Sequence, residues 1–270
     1  MFKDCDYTKS ELKIINFIQT NTDRFILMTN EELAKELSVS EATISRFSKK
    51  AGFADFRDLR RFVLEDYKLI TPSDKLEKTI LGQENLSLSS LLNKQIFFLE
   101  KTLEKIDNSQ IDAALDAILE ADTIYIHGKS SSRATAELLS FRLNRFDLNI
   151  KKMETSGSEI AESLANITKD DIVIFFAYYG FSRESRLILE HSKKIGFKTV
   201  CFTSLAYIKE EFKPSYTLFA YRGAEDEYHS QVVPIALVDA ITVLLAQRFN
   251  GKSKIKLDRI NALKKLYRKI

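Results

Sequence analysis

Two short segments carry the small and polar residues from which a binding site for an anion can be built. The first is GKSSS, Gly128 to Ser132, and the second is AYYGFS, Ala177 to Ser182. Each follows a run of apolar residues and precedes a stretch with helical periodicity, so its backbone N–H groups would lie at the positive end of a helix. That arrangement suits a phosphate or a carboxylate. Neither segment has the Gly-x-x-x-x-Gly-Lys-Ser/Thr pattern of a nucleotide-binding P-loop.

Each turn also has a simpler explanation. Serine is a common N-cap residue, and capping a helix would require only one of the three serines in GKSSS. In AYYGFS, the tyrosines can donate hydroxyl groups, stack on a sugar ring or fill the space that a ligand would occupy. We predict that the two turns bind an effector through Gly128, Ser130, Ser131, Ser132, Tyr178, Tyr179, Gly180 and Ser182.

The elements that must position these turns have the pattern of an α/β domain. Strands are predicted at residues 123–127, 149–153, 171–176, 198–203 and 216–220, and helices at 91–106, 110–120 (capped by Ser109), 134–145, 158–165, 183–195 and 228–249. Strands that alternate with helices form a parallel sheet covered on both faces. The sequence therefore predicts a three-layer domain with a five-stranded parallel sheet. Ligands of such sheets bind beyond the carboxyl ends of the strands, where both turns lie.

A separate all-α domain is predicted at the N-terminus. Residues 8–11 and 29–32 both fit the capping box that starts a helix, and Ser40 can cap a further helix, Glu41 to Lys50. The second and third helices are joined by Ser38-Val39-Ser40, a spacing typical of a helix-turn-helix. The second helix of that motif enters the major groove of DNA.

The outer face of this last helix supplies groups that suit DNA. Arg46 can make a bidentate contact with guanine, short hydroxyl residues can reach base edges, and lysines suit phosphates. We predict DNA contacts from Ser38, Ser40, Thr43, Ser45, Arg46, Lys49 and Lys50. The alternative is a helical bundle whose basic face is only solvated.

Composition and charge exclude several classes of protein. Hydrophobic residues make up 44% and charged residues 29% of the chain, as in soluble globular proteins. No apolar run approaches the roughly 20 residues of a membrane span, and no secretory signal is recognisable. Cys5 and Cys201 lie far apart, which fits a reducing cytoplasm. We therefore expect a cytoplasmic protein that binds no membrane, metal or cofactor.

The basic residues are concentrated towards the two ends of the chain, although the net charge is only +3. Residues 42–61 hold six Lys or Arg against two Asp, and residues 248–270 hold nine against one Asp. Apolar residues at steps of three and four predict an amphipathic helix at 254–270. We expect that helix to dock on its own chain or on a dimer partner; an added contact with DNA phosphates is the alternative.

The N-terminal domain resembles a known family at specific positions. The segment ELAKELSVSEATISRFSKKAGFADFRDLR, Glu32 to Arg60, is similar to the DNA-binding domain of the RpiR family of bacterial transcriptional regulators. The shared features are the Leu-Ala pair, the VS-x-ATI-x-RF-x-KK segment and the GF-x-x-F that follows it. The resemblance covers about residues 4–80 and implies binding to double-stranded operator DNA.

The second half of the chain, about residues 105–250, resembles the sugar isomerase (SIS) domain. That domain is the usual partner of the RpiR DNA-binding domain and generally senses phosphorylated sugars. Its first turn reads Gly-x-Gly-x-Ser, and GKSSS keeps the outer two residues. Its second turn reads Ser-x-Ser-Gly-x-Thr and holds the sugar phosphate, and AYYGFS lacks both serines. In the last helix Asp239 is kept, whereas Gln231 stands where an arginine is common.

Together the resemblances imply four segments and one function. The segments are a DNA-binding domain at 1–80, a linker and connecting helix at 81–106, a sugar-phosphate-sensing SIS domain at 107–250 and a basic helix at 251–270. The implied function is regulation of carbohydrate metabolism genes by a homodimer or higher homo-oligomer that binds a palindromic operator.

Two alternatives remain open. The SIS domain can be a degenerate dimerisation module that senses no sugar phosphate, or the protein can be a sugar-phosphate isomerase. An isomerase needs a positioned acid or base, but His127, His191 and His229 are scattered along the sequence. We therefore expect no catalytic residues and no enzyme activity.

Overall fold

Helix-capping residues determine where the helices of the N-terminal unit, Met1–Gly82, begin. The hydroxyl of Thr8 accepts a hydrogen bond from the N–H of Glu11, and the carboxylate of Glu11 accepts one from the N–H of Thr8. Thr29 and Glu32 repeat this exchange, which satisfies N–H groups that a helix start otherwise leaves without partners. The helices are α1 Lys9–Thr20, α2 Thr22–Phe25, α3 Asn30–Leu37, α4 Glu41–Lys50, α5 Phe56–Tyr67 and α6 Pro72–Leu81.

One apolar core joins the first five of these helices. Ile18, Phe25, Leu33, Phe47 and Leu59 come from α1 to α5 in turn, and none of them has exposed surface. Burying a side chain of this size stabilises a fold by roughly 1.5–3 kcal/mol. The positions of α3 and α4 therefore depend on packing in a core shared with α2 and α5. The sequence pattern predicted neither α2 nor α5.

The rest of the chain, Gln83–Ile270, forms a second unit. A computed structural model describes residues 7–67, 71–82, 85–154, 157–249 and 252–268 of the whole chain. The two units divide after Gly82, and α6 ends at Leu81, directly before that division. Among the described residues, none of the helices combines the length and the apolar composition that crossing a bilayer requires.

The second unit is built on a sheet of five parallel strands, in the order β2-β1-β3-β4-β5. The prediction of an all-α helix-turn-helix bundle followed by a three-layer α/β domain with a five-stranded parallel sheet is confirmed. The strands are β1 Ile124–His127, β2 Ile150–Lys152, β3 Ile172–Phe176, β4 Lys198–Thr203 and β5 Tyr216–Phe219. The helices are α7 Leu88–Leu103, α8 Asn108–Glu120, α9 Ser132–Leu143, α10 Glu159–Ala165, α11 Arg183–Ile195, α12 Val232–Arg248 and α13 Lys252–Tyr267.

Helices cover both faces of this sheet, and β3 shows how. Ile174 and Phe176 pack on one face in a core with residues of α8, α9 and α12. Val173 and Phe175 pack on the other face with residues of α10 and α11. Every residue of β3 is therefore buried, which explains the continuous apolar run that marks this strand in the sequence.

At the starts of α8 and α12, the structure shows why the residue predicted from the sequence was wrong. The α8 cap is Asp107, whose carboxylate accepts hydrogen bonds from the N–H groups of Ser109 and Gln110, so Ser109 is not the cap. Helix α12 begins at Val232 instead of residue 228. The residues before Val232 form a loop in which the guanidinium of Arg222 donates to a backbone carbonyl. The carbonyl that it binds belongs to Ser230, which has no helical partner four residues on because Pro234 lacks an N–H.

The C-terminal helix α13 makes at least one contact with its own unit. The ammonium group of Lys256 donates to the carbonyl of Phe146. Leu263 and Leu266 on the same helix are exposed. The predicted end of this helix at Ile270 lies outside the described residues.

Close packing between β1 and α9 requires a glycine at residue 128. A Cβ atom there would lie 2.6 Å from Cβ of Ala136 and 2.8 Å from the carbonyl oxygen of Ser132. Real Cβ atoms do not approach other atoms so closely, and backbone atoms cannot move aside cheaply. At Gly180, by contrast, a Cβ would enter open space, and φ is not left-handed.

We expect Gly128→Ala to lower the free energy of unfolding by about 1–3 kcal/mol, the usual cost of overpacking. Gly180→Ala is the matched control. It should leave stability unchanged or raise it by up to about 1 kcal/mol, because alanine restricts the unfolded chain. Urea unfolding followed by circular dichroism measures both. Equal stabilities of the two variants would contradict the packing described for Gly128.

Candidate functional site

The first candidate site is the exposed face of α4, which the turn from α3 positions. Ser38 has a left-handed φ of 51°, and the N–H of Val39 donates to the carbonyl of Ala34 at 3.0 Å, which ends α3. Ser40 then caps α4 by accepting a hydrogen bond from the N–H of Thr43 at 3.1 Å. Two helices joined by three residues in this way form a helix-turn-helix.

Burial decides which residues of α4 face outward. Ile44 and Phe47 are fully buried, so Arg46 and Lys49 on the other side of the helix are exposed. Of the other predicted contacts, Ser38 and Ser40 are exposed, and Thr43 and Ser45 are partly exposed. This face can place a guanidinium against a guanine edge and an ammonium group near phosphates if α4 lies in a major groove.

Lys50 differs from the other predicted contacts because its charge is engaged inside the unit. Its Nζ lies 2.8 Å from Oε2 of Glu11 and 5.3 Å from the centroid of the Tyr7 ring. The hydrogen bond from Lys50 is the main cause of the lowered pKa of Glu11. Lys50 thus joins the end of α4 to the start of α1, and contact with DNA would require it to give up these interactions.

The second candidate site lies at the carboxyl ends of β1 and β3. These strands are neighbours in the sheet, but β1 leads through α9 to β2 on one side and β3 leads through α11 to β4 on the other. The carboxyl ends of two such strands flank a crevice in which α/β proteins bind ligands. Its walls are the turns 128–131 and 177–182, so the structure brings together the two turns that the sequence singled out.

The turn after β1 exposes two hydroxyl groups, while the N–H groups of Ser132 and Arg133 donate to the carbonyls of Lys129 and Ser130. Ser130 has a left-handed φ of 52° and Ser131 a right-handed helical conformation, a sequence of conformations that directs successive N–H groups into one concavity. The side chain of Ser131 makes no capping bond to α9. Both serines are exposed, whereas Ser132 is buried. The amide of Gln231 donates to the carbonyl of Ser131 at 3.3 Å and braces the turn.

The turn after β3 is largely occupied by its own side chains. Ser182 caps α11 by accepting a hydrogen bond from the N–H of Ser185 at 3.2 Å. The hydroxyl of Tyr179 donates to the carbonyl of Gly223 at 3.2 Å, and its ring stacks on His229 with centroids 4.1 Å apart. Of the residues predicted here, Gly180 is exposed and leaves the most open space.

Tyr178 lies in the core instead of lining the crevice. It is 5% exposed and packs beside Phe176, and its ring centroid lies 4.2 Å from the guanidinium carbon of Arg222. Burial raises the pKa of the Tyr178 hydroxyl, which has no hydrogen-bond partner within the described part of the chain. Both tyrosines therefore hold the loop before α12 against β3, and their contact with a ligand stays a prediction.

An ion pair connects the two walls of the crevice. Nζ of Lys129 lies 2.7 Å from Oε1 of Glu184, which is in the first turn of α11. Burial favours the neutral form of Glu184, but Lys129, Ser182 and the N–H of Glu184 together lower its pKa to about 2. The other carboxylate oxygen, Oε2, is buried without a hydrogen bond in the described structure. The site thus contains a fixed negative charge near the positive end of α11.

The three histidines lie on different elements of the second unit. His127 is buried at the end of β1, where Nδ1 lies 3.1 Å from the carbonyl of Glu154, and burial lowers its pKa. His229 stacks on Tyr179, and His191 lies on α11. The described residues bring together no group of His, Cys, Asp or Glu side chains that could hold a metal ion. The absence of enzyme activity remains a prediction.

Sequence reasoning missed Glu184, Lys129 and Arg222 as parts of this region. An acidic residue in the first turn of a helix that follows a predicted ligand turn was a usable signal for Glu184. Its pairing with Lys129 depends on which strands are neighbours. Arg222 lies in a loop of no regular pattern, and only the fold shows that it is 2% exposed beneath Tyr178.

The lowered pKa of Glu184 predicts a specific sensitivity to acid. A folded-state pKa of about 2, below the ordinary value of 4.5, means that the ionised carboxylate contributes stability above pH 4.5 and that this contribution is lost as pH falls to about 2. Wild-type protein should therefore lose more unfolding free energy over this window than Glu184→Gln does.

Urea unfolding at stepped pH measures the difference between the two proteins. Glu190→Gln is the control, because Glu190 lies on the same helix in an exposed pair with Lys193, and it should follow wild type. Equal acid sensitivity of wild type and Glu184→Gln would contradict the assignment.

The fold of this chain is similar to the folds of several solved proteins. The sugar isomerase domain of the RpiR transcription factor from Sphaerobacter thermophilus is 23% identical over 64% of this chain and 97% of that one, with a TM-score of 0.60. The NanR protein of Vibrio vulnificus, solved with ManNAc-6P, is 19% identical over 95% of this chain and 93% of its own, with a TM-score of 0.61. At these identities the likeness shows the fold alone.

Each of the two units contains a segment that matches a family model. Residues 3–69 match the model of the helix-turn-helix domain of the rpiR family, and this range contains the α3-turn-α4 motif. Residues 117–207 match the model of the SIS domain, which spans both turns of the crevice. The chain therefore combines, in this order, an RpiR-family helix-turn-helix domain and a SIS domain.

Proposed function

We propose that this protein is a bacterial transcription regulator of carbohydrate metabolism genes, which binds operator DNA through α4 and a phosphorylated sugar through its SIS domain. The observation that carries the DNA-binding part is the exposed face of α4, with Arg46 and Lys49 opposite the buried Ile44 and Phe47. The match to the rpiR-family helix-turn-helix model supports it.

The crevice between β1 and β3 supports binding of a phosphate group. The turn after β1 offers the exposed hydroxyls of Ser130 and Ser131 and the ammonium group of Lys129 beside the positive end of α9. Donors of these kinds suit a phosphate better than a neutral group. The structural likeness to NanR, a protein solved with ManNAc-6P, agrees with a phosphorylated sugar as the ligand.

Exposed apolar side chains on two neighbouring helices support self-association. Val243 and Leu244 on α12 are 68% and 36% exposed, and Phe141 on the neighbouring helix α9 is 57% exposed. Apolar surface of this kind often marks an interface. A homodimer or higher homo-oligomer would present two copies of α4 to the half-sites of a palindromic operator. Effector binding can change DNA affinity only if one state of the regulator binds the effector better than the other.

The DNA-binding proposal is tested by Arg46→Ala. An operator is first selected from random double-stranded DNA with the wild-type protein, and affinity is then measured by gel shift. Loss of a bidentate guanine contact should weaken specific binding by about 1–3 kcal/mol, roughly fivefold to 150-fold. Lys13→Ala removes one exposed charge from α1 and should bind as wild type does.

As a control, sedimentation and circular dichroism check that both variants keep the mass and the fold of the wild-type protein. Undiminished specific binding by a folded Arg46→Ala variant would refute the assigned role of α4.

Sugar-phosphate binding is tested by thermal unfolding with a panel of sugar phosphates. A ligand at a hundred times its Kd stabilises the folded state by about 2.7 kcal/mol, which raises the melting temperature measurably. The double variant Ser130→Gly, Ser131→Ala should lose this rise, because it removes both exposed hydroxyls. Neither side chain packs in the core, so the unliganded melting temperature should stay close to that of wild type.

The panel also decides between this proposal and its main alternative. No response to any sugar phosphate would favour a SIS domain that only dimerises. The packing of Tyr178 and Tyr179 against the loop before α12 is the structural basis of that alternative. A response that survives in the double variant would place the ligand elsewhere.

A further inference from the structure

The contact between Lys129 and Glu184 has a feature that ordinary surface ion pairs lack. The side chain of Glu184 is only 10% exposed, whereas that of Lys129 is 45% exposed. A carboxylate buried to this extent loses hydration, so it depends on the partners that the protein supplies. Here the charged partner is a half-exposed lysine from the opposite wall of the crevice.

Glu184 already occupies an environment that suits an external anion. It lies in the first turn of α11, where the helix dipole favours negative charge. Its Oε1 takes the hydrogen bond from Lys129, while its Oε2 is buried with no hydrogen bond in the described structure. The carboxylate therefore acts on Lys129 as a bound anion would.

An anion that enters at the turn after β1 must compete with this carboxylate. The exposed groups at Ser130 and Ser131 adjoin Lys129 in the chain, so a phosphate held there lies near the ammonium group and also near the negative charge of Glu184. Like charges a few ångströms apart repel strongly where water is partly excluded. The lysine side chain is flexible and its ammonium group can turn between two acceptors.

We propose that Lys129 and Glu184 form a charge latch across the crevice, in which Glu184 holds Lys129 in the empty protein and an anionic effector takes Lys129 from it. This inference rests on the proposed function, because it assigns a regulation to the same site. Opening the latch breaks a direct connection between the start of α11 and the turn that precedes α9.

The latch also determines which ligands can open it. A neutral sugar offers no charge that can replace Glu184 as the partner of Lys129. A phosphate ester at neutral pH carries more negative charge than one carboxylate and offers more acceptor oxygens. Glu184 is therefore a specificity-determining residue that sets a threshold of charge for the ligand.

The test titrates inorganic phosphate at constant ionic strength and neutral pH into the full chain and its variants, with affinity read from calorimetry. Glu184→Gln keeps the shape of the side chain, frees Lys129 and removes the repulsion, so it should bind phosphate roughly threefold to tenfold more tightly than wild type. Lys129→Met should bind more weakly than wild type. Glu190→Gln makes the same change of net charge elsewhere on α11 and should match wild type.

Phosphate binding by Glu184→Gln that is absent, weaker than that of wild type or equal to it would overturn the latch. If Glu184→Gln fails to fold, Lys129→Met decides, with its fold checked by circular dichroism, because Lys129 itself is half exposed although its replacement removes the ion-pair partner of Glu184. An unchanged phosphate affinity in Lys129→Met would likewise overturn the proposal.

The latch and the proposed sensing function fail separately. If wild type binds no sugar phosphate while Glu184→Gln binds inorganic phosphate more tightly than wild type, the sensing proposal fails and the latch stands. If wild type binds a sugar phosphate and Glu184→Gln shows no gain for phosphate, sensing stands and the latch fails.

Discussion

The pairing of β1 with β3 is the constraint on which the second unit depends. The chain between these strands passes through α9, β2 and α10, yet the backbone groups of a buried strand must find partners in the sheet, because an unpaired buried N–H or C=O is costly. Parallel pairing sets His127 opposite Phe175. Both strands therefore end at the same edge of the sheet, and the turns that follow them become the two walls of one crevice.

The two walls are unequal, and the inequality has a physical origin. The turn after β1 leaves the hydroxyl groups of Ser130 and Ser131 exposed, because the side chain of Ser131 does not cap α9. The turn after β3 satisfies its donors internally through Ser182, and its tyrosines are committed to the loop before α12. An anion would therefore find its donors mainly on the β1 side and would meet the charge of Glu184 on the β3 side.

The N-terminal unit reaches its exposed basic face by a different route. Capping side chains define the ends of α3 and α4, but their angle depends on the shared core to which α1, α2 and α5 also contribute. The same packing draws Lys50 to Glu11 and leaves Arg46 and Lys49 outside. Two neighbouring lysines of one helix thus have different roles, since adjacent residues of a helix point in different directions.

The sequence by itself determined most of the elements and the fold class. Hydrophobic periodicity and caps are local properties, so α4, α11 and β4 were predicted at the residues where they occur, and the alternation of strands and helices predicted the parallel sheet. The pattern failed where neighbouring polar residues compete: α12 begins only after the loop in which Arg222 binds the carbonyl of Ser230, and α8 is capped by Asp107, two residues before the predicted Ser109.

Only the tertiary structure decided which of the predicted residues share a site and in what state. No spacing in the sequence relates Lys129 to Glu184, because their contact follows from the order of the strands in the sheet. The burial of Tyr178 likewise follows from which face of β3 the helices α8, α9 and α12 cover. Residue types and their local order are written in the chain, whereas proximity, burial and the resulting pKa shifts arise when distant segments exclude water together.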